Sequence, residues 1–261
     1  MTGINVYCIV KSRKQPSILR VPAGLPDATA PELVDVGGGI RLVLCEVPLE
    51  TYGSGSLDAR LQDLDWVGSV ALAHEAVVEH FARQSGLAVI PMKLFTMFSS
   101  RERAVKEISG RRTAIDAAAR RIAGAEEWGI RILRSAPDAA SRLPGRTTRS
   151  GSVSGAAFLA AKKQARDDTR AARVAAAESA LDAFERLAAL SREAHRRNDT
   201  PVSASTPPLL DAAFLVPAER RARFKAAAKR EAARCAKAGA ELTLSGPWPA
   251  YNFVETGSRA R

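Results

Sequence analysis

Nine residues near the C-terminus, Gly246-Pro247-Trp248-Pro249-Ala250-Tyr251-Asn252-Phe253-Val254, constrain this chain more than any other stretch. Pro247 and Pro249 hold φ at about −65° and each removes a backbone donor, so the segment cannot be helix. The residues before them, Gly246 and Trp248, are pushed toward extended geometry. Of the eight Phe, three Trp and three Tyr in the chain, Trp248, Tyr251 and Phe253 fall here. A stiff ribbon carrying three large rings must dock, because a free one would leave those rings in water. It packs on the core of its own domain, or it meets a partner. Trp248, Tyr251 and Phe253, with Pro247 and Pro249, are therefore the candidate partner-binding residues.

The chain has 261 residues, room for one large domain or two ordinary ones. Its 46% apolar and 26% charged residues suit a soluble globular protein. No stretch reaches the roughly 18 uninterrupted apolar residues of a membrane span. The start, Met1-Thr2-Gly3-Ile4-Asn5-Val6-Tyr7, lacks the basic and long apolar regions of a secretory signal. Three cysteines, Cys8, Cys45 and Cys235, form no paired framework and no Cys-x-x-Cys, which fits a reduced cytoplasmic compartment. The net charge of +11 is uneven: residues 1–100 carry −2 and residues 101–261 carry +13. A basic second part favours acidic partners, among them nucleic acid. The alternative is that arginine-rich helix faces serve solubility alone.

Residues 3–10 spell a short buried strand rich in β-branched residues. A Pro/Gly-rich loop follows, and Gly37-Gly38-Gly39 leads into a second strand over 40–47. The triple glycine precedes a strand and no Gly-Lys-Ser/Thr follows, so it supports a turn and not a phosphate. After a loop at Gly53-Ser54-Gly55-Ser56, the spacing predicts a helix over about 65–84, ended by Gly86. Residues 87–95 form a third strand, where Pro91 implies an edge position or a bulge. A helix capped by Ser99 or Ser100 runs to about Ala123. Residues 126–134 alternate as a half-buried strand, with Trp128, Ile130 and Ile132 on one face.

Beyond a loop at 135–151, a long alanine-rich helix spans about 154–197. Its small residues allow close helix approach, and a coiled-coil seam is conceivable. A short strand near Val202 and a strand over 209–216 follow. A helix then opens at Pro217 and stops at Gly239, and a last strand covers 240–245. The expected fold class is α+β in two domains: residues 1–125, and residues 126–261 in the βαββαβ order of a ferredoxin-like unit with a long helix and the aromatic-proline tail.

The chain carries few residues in patterns that support catalysis. His74 and His80 are six apart, about 240° around a helix, so they do not share a metal-binding face. His74 suits a partly buried structural hydrogen bond, and His195 suits a solvated helix end. Glu75 and Glu79 share a face, but without a nucleophile or cofactor motif beside them they read as a solvated acidic face. No nucleophile elbow, phosphate loop or dinucleotide fingerprint is present. No enzyme, cofactor or metal is therefore expected. A nucleic-acid-binding ferredoxin-like module is the alternative function. Its predicted sheet lacks the run of aromatics on which such modules stack bases, since residues 209–216 hold only Phe214.

Several stretches together resemble the gas-vesicle accessory proteins of the F/L family. They are Tyr7, His74-Glu75 with Val77-Val78, and Val89-Ile90-Pro91-Met92-Lys93 with Thr96 and Phe98. They continue with Glu127-Trp128-Gly129, Ser154-Gly155-Ala156-Ala157-Phe158-Leu159-Ala160-Ala161-Lys162-Lys163 and Ala213-Phe214-Leu215-Val216, and end in the tail motif, the most specific of the set. Two departures stand out. Many members carry Phe-Gly-Thr where this chain has Leu94-Phe95-Thr96, without the glycine a tight turn favours. Ala250 stands where a third proline is common. The resemblance implies a two-domain α+β fold with a ferredoxin-like second domain. It implies a non-enzymatic accessory or minor structural role in gas vesicles, with the small hydrophobic shell protein and other accessory proteins as partners.

Overall fold

The computed structural model describes residues 1–135, 155–197 and 207–254. The fold is α+β, with two separate sheets. Contacts divide the chain into two compact units. The first is Met1–Glu127 together with the tail from Pro247, and the second is Trp128–Gly246. The tail, which the sequence places with the second domain, thus groups with the first.

In the first unit, β1 (Thr2–Lys11), β2 (Glu32–Gly37), β3 (Ile40–Pro48) and β4 (Ala88–Pro91) form a sheet in the order β2-β3-β1-β4, and β5 (Met97–Phe98) also pairs with β1. Residues 3–10 of β1 are all buried, Asn5 among them, as befits a largely apolar strand covered on both faces. The stretch Glu32–Gly37, expected as loop, is strand β2. It makes a hairpin with β3 through Gly38 and Gly39, whose φ values of 62° and 74° suit a two-residue turn with φ positive at both positions. A Cβ on Gly39 would lie 2.7 Å from the Ser12 carbonyl oxygen, so no side chain fits there. Pro91 ends β4 at the sheet edge, where its missing N–H costs no ladder bond.

The segment expected as a loop at 53–56 is instead Gly53, which separates α1 (Leu49–Tyr52) from α2 (Ser54–Arg60), and the first turn of α2. Tyr52 is buried and its hydroxyl donates to the Pro26 carbonyl at 2.9 Å. Helix α3 (Leu64–Ala82) is capped by Asp63, whose carboxylate accepts from the backbone of Asp65 and Trp66, and it packs on β1 and β4. The single helix expected after Ser100 is two, α4 (Arg101–Gly110) and α5 (Arg112–Ile122). The break falls at Arg111, next to Gly110, a residue with low helix propensity.

The elements of the second unit are β6 (Ala125–Arg134), whose first three residues group with the first unit, α6 (Gly155–Ala188), β7 (Glu193–Arg196), β8 (Leu210–Pro217), α7 (Arg221–Lys237) and β9 (Ala240–Trp248), whose last two residues also group with the first. Its sheet order is β7-β8-β6-β9. Residues 193–196, which the sequence assigns to the long helix, form β7 and pair antiparallel with β8 from Glu193 opposite Leu215 to Arg196 opposite Ala212. Tertiary pairing overrides helix propensity there. The expected strand near Val202 and the expected loop at 136–151 lie outside the described residues. The core gathers Trp128, Ile130 and Ile132 of β6, Leu210, Ala212, Phe214 and Val216 of β8, Ala176, Ala180, Ala183 and Leu187 of α6, and Phe224 of α7. The period of two on the strands and of three to four on α6 are the sequence patterns made physical.

Candidate interaction site

The tail and its seat form the most specified polar site of the first unit. Extended geometry forced by Pro247 and Pro249 carries the chain to a short 3-10 turn, Tyr251–Phe253, which lies against α5. Phe253 is 1% exposed, and Pro249, Ala250 and Val254 are buried with it. Tyr251 donates its hydroxyl proton to Glu75 Oε2 at 2.6 Å. The Asn252 backbone N–H donates to Glu127 Oε2 at 2.9 Å, and its side-chain amide donates to Glu127 Oε1. Two carboxylates on α3 and β6 thus hold two successive residues of the turn through charge-assisted bonds.

Burial pushes the Tyr251 hydroxyl well above its ordinary value, and the Glu75 carboxylate beside it acts in the same direction. Burial also raises the Glu75 carboxyl, against the Tyr251 hydrogen bond that favours its ionised form. The second oxygen of Glu75, Oε1, is buried with no hydrogen-bond partner. His74, next along α3, is 3% exposed and its Nε2 shares a hydrogen bond of 3.1 Å with the Met92 carbonyl. Desolvation lowers its pKa to about 4. This is the structural hydrogen bond expected of it. His80 instead meets the Ser17 carbonyl from an exposed position. His195 lies on β7 and not on a helix end, and is exposed. Glu75 and Glu79 do not form one solvated face. Glu79 pairs with Arg83, whereas Glu75 is turned inward to the tail.

The five candidate residues of the tail therefore divide. Tyr251, Phe253 and Pro249 are engaged with their own unit, and Trp248, 42% exposed, and Pro247 stand outside. Glu75, Glu127 and Asn252 complete the site; the sequence names them within motifs but gives none of them the part of holding the tail. The available signal was chemical: a buried Tyr hydroxyl needs an acceptor, and an Asn beside it offers two more donors. The arrangement fastens a strand. Among the described residues no group of three or more His, Cys, Asp or Glu is placed to hold a metal ion.

A second local feature concerns the missing glycine. Phe95 adopts φ of 62°, the left-handed conformation that glycine takes at no steric cost. The tight turn is kept, closed by Thr96 N–H to the Lys93 carbonyl at 3.1 Å. The Phe95 ring stacks on Trp66, with centroids 6.0 Å apart and planes 5° from parallel. That contact offsets the backbone cost.

The family model described as gas vesicle synthesis protein GvpL/GvpF matches residues 3–255. The chain belongs to that family. It is similar to gas vesicle protein L of Streptomyces sp. (strain CB03234), 26% identical over 220 residues that cover 83% of this chain and 80% of that protein. Its fold is similar to the crystal structure of GvpF from Anabaena sp. PCC7120, with a TM-score of 0.66 at 15% identity, covering 98% of this chain and 97% of that one. The crystal structure of GvpF from Microcystis aeruginosa gives a TM-score of 0.60 at 14% identity, covering 97% of this chain and 99% of the other. Among the described residues no helix is long and apolar enough to cross a membrane.

Proposed function

We propose that this chain is a non-enzymatic accessory protein of gas vesicle assembly in the cytoplasm, which contacts the hydrophobic shell protein and other accessory proteins. Family membership supports the gas-vesicle role. The observation that carries the contact surface is the division of the tail: its inner residues fasten it to the first unit while Trp248 and Pro247 stay outside. An exposed Trp on a rigid, pre-extended strand is a suitable anchor, because little conformational entropy remains to be lost on binding. The βαββαβ order of the second unit, with sheet order β7-β8-β6-β9, supports reading it as ferredoxin-like, a platform beside the tail in sequence.

The test is a pull-down of the tagged full chain against the shell protein and the neighbouring accessory proteins, with Trp248→Ala alongside. Retained folding with binding weakened by about tenfold or more places the anchor at Trp248. Undiminished binding moves the contact elsewhere. No binding to any of these proteins, with the shell protein soluble, refutes the accessory reading.

A further inference from the structure

Helix α6 is longer than its fold needs. Residues 155–175 are exposed throughout, and packing begins only at Ala176. Most helical stability in proteins comes from packing one face, and this part of α6 packs no face on its own chain. Lys162, Lys163, Arg166, Arg170 and Arg173 fall within an arc of about 100° on this arm, at 3.6 residues per turn. Leu159, 66% exposed, lies inside the same arc. These side chains share one open face of the helix, with Thr169 and Asp167 at its margin.

The cations of the arm are gathered on one face without a carboxylate set against them. At other helix positions i,i+4 carboxylates do neutralise arginines, as in Arg83 with Glu79, Arg111 with Glu107 at 2.8 Å, and Arg186 with Asp182 at 2.6 Å. Among the described residues none of the five arm cations has a hydrogen-bonding or ion-pairing partner. Asp168, the nearby acid, accepts instead from Gln164 at 2.8 Å.

We propose that the exposed arm of α6 is a docking surface for an acidic helix of a partner protein. Lys162, Arg166 and Arg170 repeat every four residues, a rise of about 6 Å. Carboxylates at i, i+4 and i+8 on a second helix repeat at the same interval. Leu159 supplies the apolar anchor among the charges. A second copy of this chain is a poor occupant, because it sets the same cations against themselves with only Asp167 and Asp168 to offset them. A run of phosphates satisfies the cations but leaves Leu159 uncovered, whereas an acidic amphipathic helix covers both. The proposal does not rest on the gas-vesicle reading.

The probe is a labelled synthetic helix of about 21 residues, with Glu at i, i+4 and i+8 and Leu one turn away, titrated with the full chain by fluorescence anisotropy. The quadruple variant Lys162→Glu, Arg166→Glu, Arg170→Glu, Arg173→Glu should lose about tenfold or more in affinity. An equal reversal on α7, Arg223→Glu, Lys229→Glu, Arg230→Glu, Lys237→Glu, should stay within about twofold of the native chain. A peptide with Lys in place of Glu should bind the reversed arm. Circular dichroism of each variant checks that the helix persists. Equal losses in both quadruple variants, or no binding by the native chain, overturn the proposal. So does tighter arm-dependent binding to single-stranded DNA or to anionic vesicles than to the acidic helix, which reassigns the arm to phosphates.

Discussion

At the scale of single residues, the tail seat sets two expectations. Tyr251→Phe removes one hydrogen bond and leaves Glu75 half-buried without its donor. The cost should be about 1–3 kcal/mol, measured by urea unfolding. His74 gives a pH signature. Its folded pKa of about 4 lies below the ordinary 6.5, so between those values the unfolded chain takes up a proton that the folded chain refuses. Stability from His74 is therefore intact above pH 6.5, falls as the pH drops toward 4, and levels off below, for a total of about 3 kcal/mol. Glu75 acts with the opposite sign, since burial raises its carboxyl and its ionisation above pH 4.5 opposes folding. The difference between native and His74→Gln stability, followed from pH 7 to 4, isolates the histidine. A difference that does not change with pH would show that His74 titrates normally in the fold.

At the scale of elements, the turn between β4 and β5 tests how a chain manages without a glycine. Phe95→Gly relieves the left-handed strain and loses the stack on Trp66, whereas Phe95→Ala loses the stack and keeps the strain. Alanine should therefore be the more destabilising by about 1 kcal/mol in thermal or urea unfolding. If the two are equal, the backbone at 95 relaxes when the ring is removed. The elements also show where sequence reasoning reaches its limit. Strand β1 and helix α3 were legible because their apolar periods are unambiguous. Strand β2 was not, because Asp35 and the prolines before it resemble loop. Strand β7 was not, because Glu193-Ala194-His195-Arg196 continues a helical composition without a break. What makes those four residues a strand is the open edge of β8, a partner distant in sequence.

At the scale of the molecule, the tail closes a loop in sequence: it leaves the second unit at Gly246 and completes the first. Removing the chain from Pro247 onward should lower the unfolding temperature of the first unit by several degrees, as loss of Phe253 burial and of the bonds to Glu75 and Glu127 requires. An unchanged transition in differential scanning calorimetry would show that the tail is dispensable to the fold. The truncation is thus a stability experiment, whereas a substitution at the exposed Trp248 leaves the seat in place. The sequence by itself determined the α+β class, the two-part division of charge, the buried central strands and the extended tail. Each follows from local physics: apolar period, proline geometry and composition. Only the tertiary structure decided which unit the tail joins, which of its rings remain outside, and that Glu75 and Glu127 receive it. Those outcomes depend on which distant surface supplies an acceptor for each buried donor, and no local pattern in the chain encodes that choice.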